Sequence, residues 1–259
     1  MIQLFTRGDD AGSSRSANRA IRQCCESGIL RNVSVMACGL AFDDAVQVLD
    51  DLDGVDFGLH ICLNSEWDAP RWSSVAPPEA VPSLLDEDAM FTRAPDVLRE
   101  RGFSVEEAMT EIQAQLAKAR ASGLKISYLD EHMGLSWISP ELRAAIADLA
   151  LREGLMDVDA HGFQSLDNVD TSSEDGAQQL MTALSSTRSD DSSTRDAYLL
   201  ITHPMFDDDE ARSFHGLGQS GEHIARSRDN DRKTLTDETL MAWMRARQIE
   251  PKRFSDVLK

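Results

Sequence analysis

The sequence predicts an α/β protein, a (β/α) barrel that is incomplete or distorted and whose strands are mostly parallel. Two observations support this class. Short apolar segments alternate with helical segments along the chain, in about seven units, close to the eight of a closed barrel. The apolar segments are also continuously hydrophobic, as strands covered by helices on both faces are.

The predicted strands are short and rich in aliphatic, aromatic and β-branched residues. In chain order they cover residues 2–7, 32–38, 56–63, 125–130, 155–160 and 198–203, with 253–258 as a closing strand.

Helices are predicted after most of these strands, and capping residues mark their ends. Ser104 and Glu107 form a capping box that begins one helix, and Gly123 follows its end. Pro140 takes the first position of another helix, which ends near Gly154. The remaining predicted helices cover residues 15–27 and about 42–52, and the last begins at Thr236.

One domain is predicted over residues 1–259, with two segments that interrupt the alternation. Residues 65–95 contain five of the eight prolines and are predicted to form a long ordered loop over one face of the sheet. Residues 165–196 are rich in Ser, Thr and Asp around one short helical pattern, and we expect them to be mobile, solvated surface.

The charge of the chain limits its partners. It carries 45 acidic and 26 basic residues, a formal charge of −19, which argues against nucleic acid and anionic membranes. A neutral or cationic small substrate fits this charge, and so does a salt-adapted surface. The apolar runs are too short to span a membrane, the N-terminus has no basic signal-peptide region, and four cysteines form no CxxC pair. We therefore expect a cytoplasmic protein.

Ionisable side chains collect at the carboxyl ends of four predicted strands, where parallel sheets carry their active sites. They are Asp9 and Asp10 after the first strand, His60 near the end of the third, Asp130 and His132 after 125–130, and His203 after 198–203.

A metal ion explains why two aspartates stand side by side. One carboxylate and two neutral imidazoles with an open position for water form a catalytic metal site, and Asp10, His60 and His132 provide that set. Asp9 is then the general base that takes the proton of the water. The cation offsets the repulsion between the two carboxylates.

Structural explanations for the same residues remain open. An acidic run before a helix is also favoured by the helix dipole. A histidine inside an apolar strand, such as His60, is often a hydrogen-bonded core residue. Asp130 is equally consistent with a solvated position, and His203 before Pro204 with a turn.

In order and context, these residues resemble the YdjC-like (ChbG) carbohydrate deacetylases. The matching segments are an Asp-Asp motif at 8–12, a Gly-Leu-His motif at 58–64, a proline-containing loop at 81–91, an Asp-x-His motif at 130–132 and a His-Pro motif at 203–204. The C-terminal segment 226–257 also resembles the closing part of the family. The likeness covers nearly the whole chain, and three positions depart from it: Ala11, Gly134 and Met205.

The resemblance implies a barrel-like fold and hydrolysis of N-acetyl groups from amino sugars such as chitooligosaccharides. It implies a divalent ion, Mg²⁺ or Zn²⁺, bound by the aspartate and two histidines above, with Asp9 as base and a homodimer as a possible assembly. His203 is a candidate acid for the leaving amine or a substrate contact. Because sugars present apolar faces, three tryptophans near the site are assigned to substrate binding: Trp67, Trp72 and Trp137. Each of them is also consistent with a large apolar side chain that anchors a loop. Asp130 is assigned to substrate binding as well, and its second candidate role is to orient a ligand histidine.

Two other functions remain open from the sequence. The first is a metal-dependent hydrolase of another ester or of a phosphate. Phosphate substrates usually need a basic cluster, and near the motifs only Arg7 and Arg71 were candidates for one. The second is a barrel that binds a sugar without catalysis, which the departures at Ala11 and Gly134 would permit.

Overall fold

The computed structural model describes residues 2–187 and 197–257, and it confirms the incomplete α/β barrel. Within those ranges one sheet contains seven strands, all of them paired in parallel. The strands are β1 (Gln3–Ala11), β2 (Asn32–Val35), β3 (Asp56–Ile61), β4 (Ile126–Glu131), β5 (Met156–Asp157), β6 (Ala197–Thr202) and β7 (Pro251–Lys252).

The sheet has the spatial order β5-β4-β3-β2-β1-β6, and β7 pairs with the beginning of β1. Strands β5 and β6 are therefore the two edges of the curved sheet. Gln164 forms a single parallel bridge to β6, where its N–H donates to the carbonyl of Ala197. Because every pair is parallel, the carboxyl ends of β1, β2, β3, β4 and β6 meet at one rim, whereas the short β7 ends opposite Phe5, near the other end of the barrel.

Helices pack around the outside of this sheet. In the described ranges they are α1 (Arg15–Ser27), α2 (Phe42–Leu49), α3 (Pro95–Arg101), α4 (Val105–Ala121), α5 (Pro140–Glu153), α6 (Gly176–Ser186), α7 (Asp209–Arg212), α8 (Gly221–Leu235) and α9 (Glu238–Ala246). Ser104 caps α4 by accepting from the N–H of Glu107, but the predicted capping box is incomplete, because the carboxylate of Glu107 accepts from the N–H of Ser83 instead. The last helix is capped by Asp237, one residue after the predicted start at Thr236. Helix α8 was not predicted.

Successive side chains of a strand point to opposite faces of the sheet, one face towards the inside of the barrel and the other towards the helices. In β1, Phe5, Arg7 and Asp9 share the inner face, whereas Leu4 belongs to the core under the helices. Because both faces are buried, the strand has no solvent-facing side. The charged side chains of Arg7 and Asp9 therefore lie inside the barrel, where they pair with each other.

Aromatic rings fill the lower part of the barrel. Phe5 and Tyr128 contact Phe254 with ring centroids 5.9 and 4.8 Å apart, and all three rings are buried. Gly58 faces this cluster, and a Cβ there would overlap the ring of Tyr128. The polar residues of the inner face lie above this apolar floor.

The predicted closing strand over 253–258 is wrong. Strand β7 ends at Lys252, and Phe254–Asp256 form a 3₁₀ turn. The turn forms because the carboxylate of Asp256 accepts from the N–H of Arg253 at 3.1 Å. It directs Phe254 into the floor of the barrel.

The proline-containing loop is held against the core by specific contacts. Trp72 is 1% exposed, and its indole N–H donates to the carbonyl of Asn64 at 2.8 Å. Glu111 on α4 accepts from the backbone N–H groups of Val75 and Ala76 at 2.9 and 2.8 Å. In the second predicted segment, 165–196, helix α6 forms and residues 188–196 lie outside the described part of the chain.

Candidate active site

Asp9 and Asp10 point in different directions because the backbone of β1 changes conformation between them. Asp10 has a left-handed φ of 64°, and the pairing of β1 with β2 shifts register between Gly8 and Ala11. Aspartate tolerates this conformation better than most residues, and such bulges are common beside active sites. The bulge allows neighbouring carboxylates to have separate partners.

Each of the two aspartates is paired with its own arginine. Arg7 holds Asp9 in a bidentate contact, with Nε 2.6 Å from Oδ1 and Nη2 2.8 Å from Oδ2. Arg228 of α8 donates from Nη1 to Oδ2 of Asp10 at 2.7 Å. One buried and one partly buried ion pair thus lie where the sequence shows only two adjacent negative charges.

Three donor atoms of the predicted metal ligands converge on one point. Oδ1 of Asp10 lies 3.2 Å from Nδ1 of His132 and 3.6 Å from Nε2 of His60. The two histidine nitrogens are 3.2 Å apart. All three residues are buried, and together they form a group that could hold one metal ion.

The fit of this group to an ion is shown by Asp10 Oδ1. The atom is buried and accepts no hydrogen bond, although a buried carboxylate oxygen normally has a partner. Bonds of roughly 2.0–2.1 Å arranged tetrahedrally around one ion would separate the ligand atoms by about 3.3 Å. The observed separations of 3.2–3.6 Å are of this size.

The outer nitrogens of both histidines contact carboxylates. Nδ1 of His60 lies 2.7 Å from Oδ2 of Asp130, and Nε2 of His132 lies 2.9 Å from Oε2 of Glu66. Asp130 and Glu66 are both buried. The observed contact of Asp130 is thus with a histidine, which corresponds to its second candidate role.

The charges of the site leave an excess of negative charge. Its buried carboxylates are Asp9, Asp10, Glu66 and Asp130, and only Arg7 and Arg228 contribute permanent positive charges. With both histidines neutral, the formal balance is two negative charges, which a divalent cation would offset.

The excess of negative charge raises the pKa of a histidine of the site, and the arginines lower the pKa values of the two aspartates. Although burial disfavours the charged form, Asp130 and Asp9 raise the pKa of His60 to about 10. Burial would raise the pKa of Asp10, but Arg228 and the two histidines hold it well below its usual range. Arg7 likewise outweighs burial and lowers the pKa of Asp9. Without an ion, protons on the histidines therefore balance the carboxylates.

Arg7 connects the predicted base to the rest of the site. Its Nη1 lies 3.3 Å from Oδ2 of Asp130, on the side of the guanidinium opposite Asp9. Asp9 Oδ2 in turn lies 3.9 Å from Nε2 of His60. Asp9, the predicted base, is therefore fixed next to the converging atoms of the predicted ligands.

His203 lies on the wall of an open cleft. The cleft has a volume of about 260 Å³, and Trp67, Gln219 and Arg228 also line it. The backbone N–H of His203 donates to Asp231 at 2.8 Å, which fixes the start of the loop after β6. The imidazole is partly exposed and lies near enough to Asp9 to contribute to its lowered pKa.

The three predicted sugar-binding tryptophans differ in accessibility. Trp72 is buried in the loop, and Trp67 is buried against Phe214, with Arg228 over its ring at 5.5 Å. Trp137 is 55% exposed, and Arg99 stacks on it at 4.7 Å. Of the three, Trp137 offers most surface to a sugar.

The three departures from the family pattern have separate structural settings. Ala11 is buried at the end of β1. Gly134 has φ 59° and open space around it, a conformation that favours glycine over the histidine of the pattern. Met205 is buried, and its N–H donates to the carbonyl of Arg228 at 3.2 Å, which ties the His-Pro segment to α8.

Four residues of the site were not assigned to it by sequence reasoning: Arg7, Glu66, Asp159 and Arg228. The period of two in β1 places Arg7 on the same face as Asp9, and this signal was available. Arg228 lies in a helix that was not predicted. Asp159 follows β5, where partial desolvation of its carboxyl group and the charges of Asp130 and Glu131 raise its pKa to about 7.

Comparisons with known proteins agree with this arrangement. A family model described as "YdjC-like protein" matches residues 3–246. A carbohydrate deacetylase of Thermoanaerobacter pseudethanolicus is 28% identical over 262 residues, covering 96% of each chain. One of Listeria welshimeri is 23% identical and covers 99% of this chain and 100% of its own.

Solved structures show the same fold at low sequence identity. A protein of Enterococcus faecalis described as a cellobiose-phosphate cleavage protein aligns with a TM-score of 0.80 at 17% identity, covering 99% of this chain and 98% of its own. The peptidoglycan N-acetylglucosamine deacetylase Bc1960 aligns with a TM-score of 0.52 at 9% identity, covering 98% and 86%. In the described residues, none of the helices has the length and apolar character needed to cross a bilayer.

Proposed function

Because this chain belongs to the YdjC-like protein family, we propose that it is a metal-dependent carbohydrate deacetylase that removes N-acetyl groups from amino sugars of the chitooligosaccharide type. The convergence of Asp10 Oδ1, His60 Nε2 and His132 Nδ1 is the observation on which this proposal depends. The curated relatives named carbohydrate deacetylase support the same reaction.

The donor set fits a divalent ion, either Zn²⁺ or Mg²⁺. Two imidazoles favour a transition metal, whereas Mg²⁺ prefers oxygen ligands. When bound, such an ion lowers the pKa of a water molecule and polarises a carbonyl oxygen. Asp10, His60 and His132 would hold it at the rim of the barrel.

Asp9 is the proposed general base. Its Oδ2 faces the ligand atoms, and it is the oxygen at which a proton from the attacking water is taken up. Arg7 keeps the carboxylate ionised and fixes its plane through two hydrogen bonds. The residue is therefore ready to accept a proton at neutral pH.

His203 is the proposed acid for the leaving amine. It lies on the cleft wall, where a partly exposed imidazole can donate a proton from a ring nitrogen to the departing sugar nitrogen. The cleft beside it is the proposed place of the sugar, and the exposed ring of Trp137, which follows β4, offers a further apolar surface to a sugar.

The two other functions receive less support. A phosphate ester would need free cationic groups, but Arg7 and Arg228 are committed to Asp9 and Asp10. Arg71 contacts Asp86 in the proline-containing loop. A sugar-binding barrel without catalysis does not require a base next to a complete ligand set.

The test is product analysis with N-acetylated chito-oligomers and with phosphate esters, before and after treatment with a chelator. We expect acetate release that stops on chelation and returns when Zn²⁺ or Mg²⁺ is added. The Asp10→Asn variant should bind no ion and release no acetate. Acetate release that persists after chelation and in this variant would reject the mechanism.

A further inference from the structure

Glu66 makes a buried contact with a ligand histidine from a loop that supplies no other group to the proposed metal site. Its Oε2 lies 2.9 Å from Nε2 of His132, and both side chains are about 4–5% exposed. The residue follows β3 by only a few positions, next to Asn64 and Ser65, which anchor Trp72. Because Glu66 lies at the beginning of the loop, next to these anchored residues, the position of its carboxylate relative to the sheet is fixed.

The contact determines which nitrogen of His132 carries the proton. A neutral imidazole has one N–H donor and one lone pair, and a carboxylate can only accept. When the ring is neutral, as metal binding requires, Glu66 therefore selects the tautomer protonated at Nε2, and the lone pair is left on Nδ1, which lies 3.2 Å from Asp10 Oδ1. The opposite tautomer, with the proton on Nδ1, would leave the lone pair of Nε2 facing the carboxylate of Glu66.

His60 is oriented in the opposite sense. Asp130 lies at Nδ1 of His60, 2.7 Å away, and selects the tautomer whose lone pair is on Nε2. The two histidines thus present different nitrogens, Nε2 and Nδ1, to the same point, 3.2 Å apart. The two rings are nearly perpendicular, with an angle of 80° between their planes.

We propose that Glu66 is a positioning residue that commits His132 to bind the ion through Nδ1, as Asp130 commits His60 to bind through Nε2. The inference depends on the metal site of the proposed function and adds a second carboxylate–histidine pair to it. Such outer partners typically change metal affinity by roughly 10- to 100-fold when they are removed.

The variants Glu66→Leu and Glu66→Gln test the proposal, with Glu111→Leu as the matched control. Glu111 is also buried and anchors the same loop, but it contacts Val75 and Ala76 away from the ligands. Affinity for Zn²⁺ and Co²⁺ is measured on chelator-stripped protein by competition with a chromophoric chelator. The unfolding midpoint of the stripped protein is measured in parallel.

We expect Glu66→Leu to weaken binding by roughly 10- to 100-fold. Glu66→Gln retains an acceptor oxygen for the Nε2–H and should lose less than tenfold. Glu111→Leu should lower the unfolding midpoint and leave the metal affinity unchanged. Equal affinity in wild type and Glu66→Leu, or equal losses in Glu66→Leu and Glu111→Leu, would overturn the proposal.

A measurement on the wild type keeps the test independent of whether the variants fold. In ¹⁵N spectra of the Zn²⁺-loaded protein, His132 should show an Nε2–H and a metal-bound Nδ1, and His60 the reverse. An Nδ1–H on His132 would overturn this inference alone, since the protein still binds the ion. Absence of any metal binding by wild type would overturn the proposed function as well.

Discussion

Arg228 in α8 donates a hydrogen bond of 2.7 Å to Oδ2 of Asp10 in β1, a residue 218 positions earlier in the chain. The contact brings a cation from the outer layer of helices to the carboxylate whose other oxygen faces the two histidines. One oxygen of Asp10 is therefore committed to the protein, and the other is available to an ion.

Replacing Arg228 should destabilise the protein most when no ion is bound. Removal of one partner of a buried pair costs about 3 kcal/mol, because the other charge is left without compensation. We expect the free energy of unfolding of Arg228→Gln to fall by about this amount in chelated protein and by less in loaded protein. Urea denaturation with and without Zn²⁺ measures both values. Arg226→Gln, an exposed change on the same helix, is the control and should have little effect.

Substitution of the two adjacent aspartates, Asp9 and Asp10, should have different effects on metal binding and activity. Asp9→Asn removes the proposed base and should reduce kcat by at least 100-fold while the protein still binds its ion. Asp10→Asn removes a ligand and should abolish both metal binding and activity. Metal content and acetate release, measured on the same samples, distinguish the two. Loss of the ion in Asp9→Asn would contradict its assignment as the base.

The chelated protein should become less stable as the pH rises from 7 to 8.5. His60 has its folded pKa raised from 6.5 to about 10, and that of His132 is also raised. In this range the unfolded chain releases these protons and the folded protein keeps them, so the stabilisation present at low pH is lost. The expected slope is about 1.4 kcal/mol per pH unit for each histidine.

Loaded protein should not show this decrease, because the ion requires both imidazoles to be neutral. Apparent metal affinity should therefore increase with pH over the same range. Urea titrations at three pH values and calorimetry in buffers of different ionisation enthalpy measure the two trends. A chelated protein whose stability is constant from pH 7 to 8.5 would show that its histidines are not charged.

Asp159 should destabilise the folded protein progressively from acid to neutral pH. Its pKa is raised from 3.8 to about 7, so between these values the folded state carries a proton that the unfolded chain has lost. The cost is small near pH 4 and complete above pH 7. The difference in Tm between Asp159→Asn and wild type should increase over that range and then level off. A constant difference would mean that the carboxyl titrates normally.

A methyl group at Gly58 should disrupt the floor of the barrel. Since the added Cβ would overlap the ring of Tyr128, Gly58→Ala forces the strands or the ring to move. Such overpacking costs typically about 1–3 kcal/mol. A double-mutant cycle with Tyr128→Leu, measured by urea denaturation, should show favourable coupling, because the smaller side chain makes room for the methyl group. Additive effects would argue against the close contact.

The fold could be predicted largely because its signals are local. Apolar segments located most strands, and Ser104, Pro140 and the acidic residues after Thr236 marked helix starts that the structure confirms within about two residues. The closing segment was wrong because a hydrogen bond between Asp256 and Arg253 outweighs its strand-like pattern. Helix α8 was missed because its exposed surface is highly charged and gives a weak apolar pattern.

The site was predictable only in part. Asp10 and His60 lie near the carboxyl ends of β1 and β3, and His132 directly follows β4. Because parallel pairing brings these strand ends together, the meeting of the three side chains follows from topology. The role of Glu66 does not, because it depends on how a loop without regular structure returns over the sheet. The role of Arg228 could not be predicted either, because it depends on how helix α8 packs against the rim of the barrel.

The left-handed backbone at Asp10 restricts the substitutions by which a descendant of this protein could lose the proposed metal site. Asparagine, glycine and aspartate tolerate that conformation, whereas a β-branched side chain at the same position would strain the turn and alter the end of β1. A lineage that abandons hydrolysis is therefore expected to drift first to asparagine or glycine there. Such a substitution would identify a binding-only descendant before any assay is made.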